Sequence, residues 1–451
     1  MIKSLPIRLQ AEPGRVVIRP FQIAPEPRSL HPTELGRAHR IVSAVLAMDM
    51  RTCQAELALV SKDFEQRHWQ TKRVFMERYQ QLKEELHLDN HLREERKELI
   101  GAYFCHEYSY ASAALMNPSI VPHPDQTGLV DGALRVVLSL RAVGEGHISS
   151  IAFREGILDH RGGFELAPRP PFSVAVSERI RACPENGGVT TVERFEEASL
   201  SGTVIFPFTP QQRNGLEDLR LVRMQEGEDQ GLYCGTYTAY SGMNIASEMM
   251  TTRDFRTFEL HPMKGPAARN KGMALFPRKV GGAYAMIGRQ DGESLFYLRS
   301  DDLLAWGEGQ PLIGPLYPWE LVQIGNCGSP IEIDEGWLLL THGVGAMRKY
   351  SIGAVLLDKD DPGHVLARTV HPIVSPSDED REGYVPNVVY TCGAIAHGRR
   401  LFMPYGVADS SVAFAFIEID ELLASMRPTE TRRRAAAPQA VTAVAEAPPA
   451  L

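Results

Sequence analysis

Two hydrophobic periods divide the chain. From Thr33 to about Leu99, apolar residues such as Leu57, Val60, Phe64 and Trp69 recur every three to five positions, and beyond Gly36 this stretch has neither Gly nor Pro. The spacing predicts long amphipathic helices, with Thr33 as a candidate N-cap followed by Glu34. Their polar face carries dense mixed charge, which suits packing on the rest of the same chain or on a second subunit; the pattern leaves both open, including a homo-oligomer built through these helices. After about residue 110 the period changes to short runs punctuated by Gly, Pro and Asp, the signature of strands and turns.

Five of those runs are alike: ALRVVLSLRAV (133–143), GLYCGTYTAYSG (231–242), GAYAMIGRQDG (282–292), GWLLLTHGVG (336–345) and RLFMPYGVAD (400–409). Each passes through apolar or aromatic residues into a polar or Gly-rich end. A second element recurs as TTRDFRTF (251–258) and RSDDLLAW (299–306). Repetition of one strand-turn unit without intervening helices predicts an all-β fold, a five-bladed β-propeller with an N-terminal α-helical extension. A β-sandwich is the competing architecture. The expected division is an extended Pro/Arg-rich segment at 1–32, the helical extension at 33–108, the propeller at 109–426, and a disordered Ala/Pro-rich tail at 427–451.

Composition narrows the partners. The 451 residues carry a formal charge of -8, with no dominant basic stripe, so a nucleic-acid footprint is not expected. Six scattered cysteines without paired spacing read as reduced thiols. No apolar run approaches a membrane span and the amino terminus lacks an apolar signal core, so the expected compartment is the cytoplasm. The histidines are dispersed, so no metal is expected, and no Gly-rich nucleotide loop of the G-x-x-x-x-G-K-[ST] type is present.

The candidate chemistry starts at GLEDLRLVR (215–223), where two carboxylates stand beside an Arg among residues that favour burial. A solvated turn is one reading; an acid oriented for proton transfer is the other. In a propeller, the ends of the innermost strands converge on one funnel, and those ends hold Arg141, Arg289, His342 and Asp409. Arg269 and Asn270 form a further polar pair before an apolar strand. Each alone fits a structural role; together they describe a pocket with an acid and several cations.

At this point the chain resembles glycoside hydrolase family 130, the β-mannoside phosphorylases and related β-mannosidases. The stretches that carry the likeness are MNPSIV (116–121), GLEDLR (215–220), RNKGMALFPRKV (269–280), W-x-x-x-x-I-G (319–325), EGWLLLTHGV (335–344), YSIGAVLLDKDDP (350–362), GYVPNVVY (383–390) and YGVAD (405–409). They keep the family's order across about residues 110–420, leaving the helical segment outside. The resemblance implies a five-bladed propeller and inverting phosphorolysis of β-1,2- or β-1,4-linked manno-oligosaccharides to α-mannose 1-phosphate, with inorganic phosphate as co-substrate and no other cofactor. It implies that Asp218 is the proton donor, that Asn117, Arg141 and Asp409 hold the mannosyl unit, and that Arg269, Asn270, Arg289 and His342 bind phosphate. Because phosphate is itself the nucleophile, a second carboxylate acting as base is unnecessary.

Two positions depart from the family pattern. Its Lys in K-I-G-A-G is Gln323 here, within QIGNCGSP, which removes one positive charge from the phosphate site. Leu219 replaces the Pro that follows the acid. The missing charge motivates an alternative, a β-mannosidase using water with Glu320 as candidate base. A further alternative, from a different class, is a non-catalytic sugar-binding propeller.

Overall fold

The computed structural model describes residues 2–21, 23, 36–89, 91–183, 185 and 187–429. The expected cap at Thr33 and the tail from 430 onward lie outside them. The chain is mostly β-sheet, with helices gathered near its start.

The helical stretch resolves into Arg37–Ala47, Met50–Phe64, Thr71–Leu86 and Glu94–Tyr103. Asp49 caps the second of these, its carboxylate accepting from the Thr52 amide at 2.7 Å. Val42, Val45, Cys53, Tyr79, Leu82, Leu99, Ile100 and Phe104 bury the apolar stripes against one another. The last two helices approach closely because Gly101 has no side chain: a Cβ there would lie 1.8 Å from the Phe75 carbonyl oxygen. The helices pack on their own chain. Glu107 accepts from buried His68 at 2.6 Å and pairs with Arg67 at 3.0 Å, and Trp69 sits edge-on to Phe195.

The five alike segments are all strands, and each is the second member of an antiparallel meander. Ala114–Pro122, Leu134–Val143, Ser149–Leu158 and Phe164–Leu166 form the first; Gly215–Arg223, Tyr233–Tyr240, Ile245–Thr252 and Thr257–Pro262 the second. Ala274–Leu275, Tyr284–Gly288, Leu295–Ser300 and Gln310–Ile313 form the third. Gln323–Asn326, Gly336–Val344, Tyr350–Leu357 and Val365–Thr369 form the fourth. The fifth consists of Val389–Tyr390, Arg400–Val407, Ser411–Glu418 and, from the other end of the chain, Ile2–Leu9. The amino-terminal segment is therefore a sheet strand in part, with Ile2 opposite Ile417. The tail boundary moves as well: Met426–Pro428 pairs with Val365–Thr369, so order extends past the expected end at 426.

Alternating apolar residues put one hydrophobic seam between successive meanders. Val137 and Phe153 meet Leu219 and Tyr233; Cys234 and Met249 meet Leu275 and Met286; Phe276 and Ile287 meet Trp337 and Leu339; Leu340 and Ile352 meet Leu401 and Met403. Phe402, Phe414 and Phe416 then return to Val136, Leu138 and Leu140 of the first meander. Burying each such large side chain stabilises the fold by roughly 1.5–3 kcal/mol, so the seams hold the meanders together.

Candidate functional site

The first strands of the first two meanders share an irregularity. Register shifts between Met116 and Ser119, and again between Glu217 and Arg220. Such bulges re-aim side chains, and here they carry Asn117 (φ 48°) and Asp218 (φ 56°) in the left-handed region. Asp409 (φ 47°), after Ala408 (φ 49°), follows the strand Arg400–Val407 in the same conformation. Asn and Asp tolerate this backbone better than most residues. Leu219 accommodates its non-proline position by packing over Gly235 in a buried seam.

Asp218 is held from several sides. Asn117 Nδ2 donates to its Oδ1 at 2.7 Å, and Arg141 Nη1 reaches the same oxygen at 3.4 Å. Arg141 Nη2 donates to Glu217 Oε1 at 2.6 Å and its Nε to Ser149 Oγ at 2.9 Å, which fixes the guanidinium plane. Arg220 Nη1 donates to the Asp218 carbonyl at 2.8 Å and Nη2 to the Tyr390 hydroxyl at 2.6 Å. Burial opposes ionisation of Asp218, but Arg141, Arg220 and the Asn117 donor outweigh it and hold the carboxyl below its ordinary range. Glu217 is shifted the other way, by burial and by the Asp218 charge, despite Arg141. Asp409 is pushed up to about 6 by burial and by Asp218, with Arg141 and Arg348 acting against.

The second group is cationic. Arg289 and His342 are buried, and Arg289 Nη1 lies 3.2 Å from His342 Nε2. Burial, Arg289 and Arg220 keep the imidazole well below its usual range, so it is neutral. With Arg289 donating to Nε2, the ring proton belongs on Nδ1, which has no side-chain partner, while the Asn326 backbone carbonyl lies near enough to the ring to raise its pKa. Arg289 Nε is likewise unpartnered. Tyr390 joins the two groups: its hydroxyl accepts from Arg220 while its ring lies 4.8 Å from that of His342. Burial keeps the phenol protonated.

The eight expected site residues are thus unevenly placed. Asn117, Arg141 and Asp218 are in direct contact, with Asp409 close enough to perturb them electrostatically. Arg289 and His342 form the second contact pair. Asn270 stands beside them, its Nδ2 3.5 Å from the Gln290 carbonyl. Arg269 is exposed at the end of the short 3-10 helix Pro266–Arg269. Glu320 is corrected: it is fully buried, accepts from the Leu316 and Tyr317 amides at 3.0 Å each, and is ion-paired to Arg368. It caps a short helical turn and is not available as a base.

Sequence reasoning gave Arg220 the task of orienting the acid and Glu217 only a place in the carboxylate pair, and it missed Tyr390 and Lys271. The first two stand inside the quoted GLEDLR and the third ends the quoted GYVPNVVY, so the motifs held the signal. Lys271, next to Asn270, lowers the pKa of both Glu217 and Asp218 through its charge. A cavity of about 590 Å³ lined by His123, Asp125, Glu155, Arg194, Arg253 and Phe255, among others, holds none of these residues. Among the described residues, no group of three His, Cys, Asp or Glu side chains could hold a metal ion.

Residues 191–428 match the Glyco_hydro_130 family, described as beta-1,4-mannooligosaccharide phosphorylase. The chain is 36% identical over 227 residues to the beta-1,2-mannobiose phosphorylase of Listeria innocua, covering 49% of this chain and 62% of that protein. It is 33% identical over 222 residues to the 1,2-beta-oligomannan phosphorylase of Thermoanaerobacter, covering 48% and 72%. A glycosyl hydrolase structure from Bacteroides ovatus superposes with a TM-score of 0.50 at 20% identity, covering 72% of this chain and 88% of that one, a likeness of fold alone. With more than half of its residues matched, the chain belongs to glycoside hydrolase family 130, the family of the β-mannoside phosphorylases.

Proposed function

We propose that the protein is an inverting phosphorylase of β-1,2- or β-1,4-linked mannosides, releasing α-mannose 1-phosphate, and that its meanders are the blades of a five-bladed propeller. The five seams, the last of which returns to the first meander, support the propeller. The relatives act on β-mannosides, which supports the substrate class. Residues 33–108 are read as an extension outside the catalytic body. A reducing, cytoplasmic setting fits the buried thiols of Cys53, Cys234, Cys327 and Cys392.

One observation carries the reading: buried Arg289 and neutral His342 each offer an N–H without a side-chain partner, alongside an acid whose carboxylate is held by Asn117 and Arg141 and whose carbonyl is held by Arg220. Two such donors suit an oxyanion. In the reaction, Asn117, Arg141 and Asp409 hold the mannosyl hydroxyls. A phosphate oxygen held by Arg289, His342, Asn270 and Arg269 attacks the anomeric carbon from the face opposite the leaving group. The glycosidic C–O bond breaks as the leaving oxygen receives the proton of Asp218, relayed through a sugar hydroxyl. Asp218 is ionised in the free protein, and dianionic phosphate arriving beside His342 opposes that charge and loads the proton. The water-using alternative loses its base, because Glu320 is committed to Arg368.

The test is product analysis with β-1,2- and β-1,4-mannobiose, with and without inorganic phosphate. Sugar 1-phosphate formed only with phosphate is expected. Free mannose formed equally in both buffers would refute phosphorolysis.

A further inference from the structure

Gln323 leaves the anion site one cation short, and three residues along the same strand stands an unexplained polar side chain. Aligning QIGNCGSP with the family's K-I-G-A-G sets Asn326 where the family has Ala. Asn326 is 1% exposed, yet neither its Nδ2 nor its Oδ1 has a protein partner. Leaving both halves of a buried amide unpaired is costly enough that native proteins nearly always supply a partner.

The strand Gln323–Asn326 runs antiparallel to Gly336–Val344, with Gly325 opposite His342 and Asn326 opposite Thr341. Gly325 and Gly272 let these side chains approach the backbone closely. A Cβ at Gly325 would meet the His342 ring at 2.3 Å and Arg289 Nη1 at 3.0 Å. A Cβ at Gly272 would lie 3.8 Å from both Arg289 Nε and Asn326 Oδ1. The unpartnered Arg289 Nε and Asn326 Oδ1 therefore lie about the same glycine, Gly272, while the His342 ring and Arg289 Nη1 pack on Gly325 of the strand that carries Asn326.

We infer that Asn326 is a ligand of hydrogen phosphate, its Nδ2 donating to a phosphoryl oxygen and its Oδ1 accepting the O–H that the dianion retains. The inference rests on the phosphorylase reading and deepens it. An amide supplies both halves of that exchange, whereas a lysine at 323 supplies donors only. It follows that the site distinguishes phosphate from sulfate, which carries no O–H at neutral pH.

The experiment is calorimetric titration of inorganic phosphate and of sulfate into the full chain, its Asn326→Ala variant and its Asn326→Asp variant, with KM for phosphate and for mannobiose measured in parallel. Asn326→Ala loses two hydrogen bonds to phosphate but one to sulfate, which predicts at least about 10-fold weaker phosphate binding, a smaller loss for sulfate, and an unchanged KM for mannobiose. Asn326→Asp keeps the side-chain volume and adds a negative charge, so phosphate binding falls further. Wild-type phosphate affinity in either variant overturns the inference, as does equal weakening of phosphate and sulfate. If Asn326→Ala does not fold, the isosteric Asp variant decides alone. A wild-type chain that binds no phosphate overturns this inference and the phosphorylase reading together; normal phosphate binding in wild type and variants overturns only the role of Asn326.

Discussion

Asp409→Asn separates what the site gives to catalysis from what it takes from stability. Asp409 sits in a left-handed turn among Asp218, Glu217, Arg141 and Arg348, and its carboxyl is pushed up from an ordinary 3.8 to about 6, chiefly by burial and secondarily by Asp218. The folded state therefore binds this proton more tightly than the unfolded chain. Its contribution is complete below 3.8 and is lost as pH rises through 6. At about 1.4 kcal/mol per pH unit, the interval corresponds to roughly 3 kcal/mol at neutral pH, an upper figure because Asp409 keeps some contact with water. Asn preserves the shape and cannot ionise. The variant should match the wild type in thermal midpoint near pH 4 and exceed it at pH 7.5, while losing turnover on the proposed reading that Asp409 accepts from a mannosyl hydroxyl. Differential scanning calorimetry of both proteins at the two pH values measures this. A gap of equal size at both pH values, or a less stable variant at pH 7.5, refutes the electrostatic account.

Three further outcomes follow from named contacts. Asp218→Asn keeps a side-chain oxygen for Asn117 but removes the transferable proton and the charge facing Arg141 and Arg220, so kcat should fall about 10²- to 10⁴-fold and the thermal midpoint should drop at neutral pH, measured by sugar 1-phosphate release and by calorimetry. Burial depresses the His68 pKa against the pull of Glu107, so its contribution is present above about 6.5 and is lost as pH falls through the folded value; urea titrations from pH 8 to pH 5 should destabilise wild type more than His68→Gln, and parallel curves would sink the idea. Gly101→Ala forces a methyl onto the Phe75 carbonyl, and the overpacking should destabilise the helical region by about 1–3 kcal/mol in a melting experiment.

The sequence disclosed those parts of this protein that depend on local period. The three-to-five spacing around Leu57, Val60 and Phe64 marks the helix Met50–Phe64, and runs such as LRVVLSLRAV and GWLLLTHGV coincide with strands Leu134–Val143 and Gly336–Val344. Arg141 and His342 were legible because each stands near the polar end of such a run. What local pattern cannot carry is the meeting of distant residues. The contact of Tyr390 with both Arg220 and His342 joins three meanders. The fate of Glu320, in the helical turn Pro318–Glu320, depended on Arg368, a partner on the strand Val365–Thr369. The left-handed backbone at Asn117 and Asp218 arises from register shifts against the neighbouring strands, which no single segment encodes.

Pairing Ile2–Leu9 with Ser411–Glu418 sets a schedule for synthesis. The strand Ile2–Leu9 is made long before its partner, and it is an unpaired edge until that partner exists. Until then the fifth meander lacks its outer strand, and its seam with the first, from Phe402 to Val136, is not formed. Asp409, on the turn just before that partner strand, joins the site in the same step, so the edge stays exposed and the candidate site incomplete until that strand is made. A tag or fusion ahead of Ile2 meets the body at this closure, and placing one there bears on assembly of the whole molecule and of its reactive centre alike.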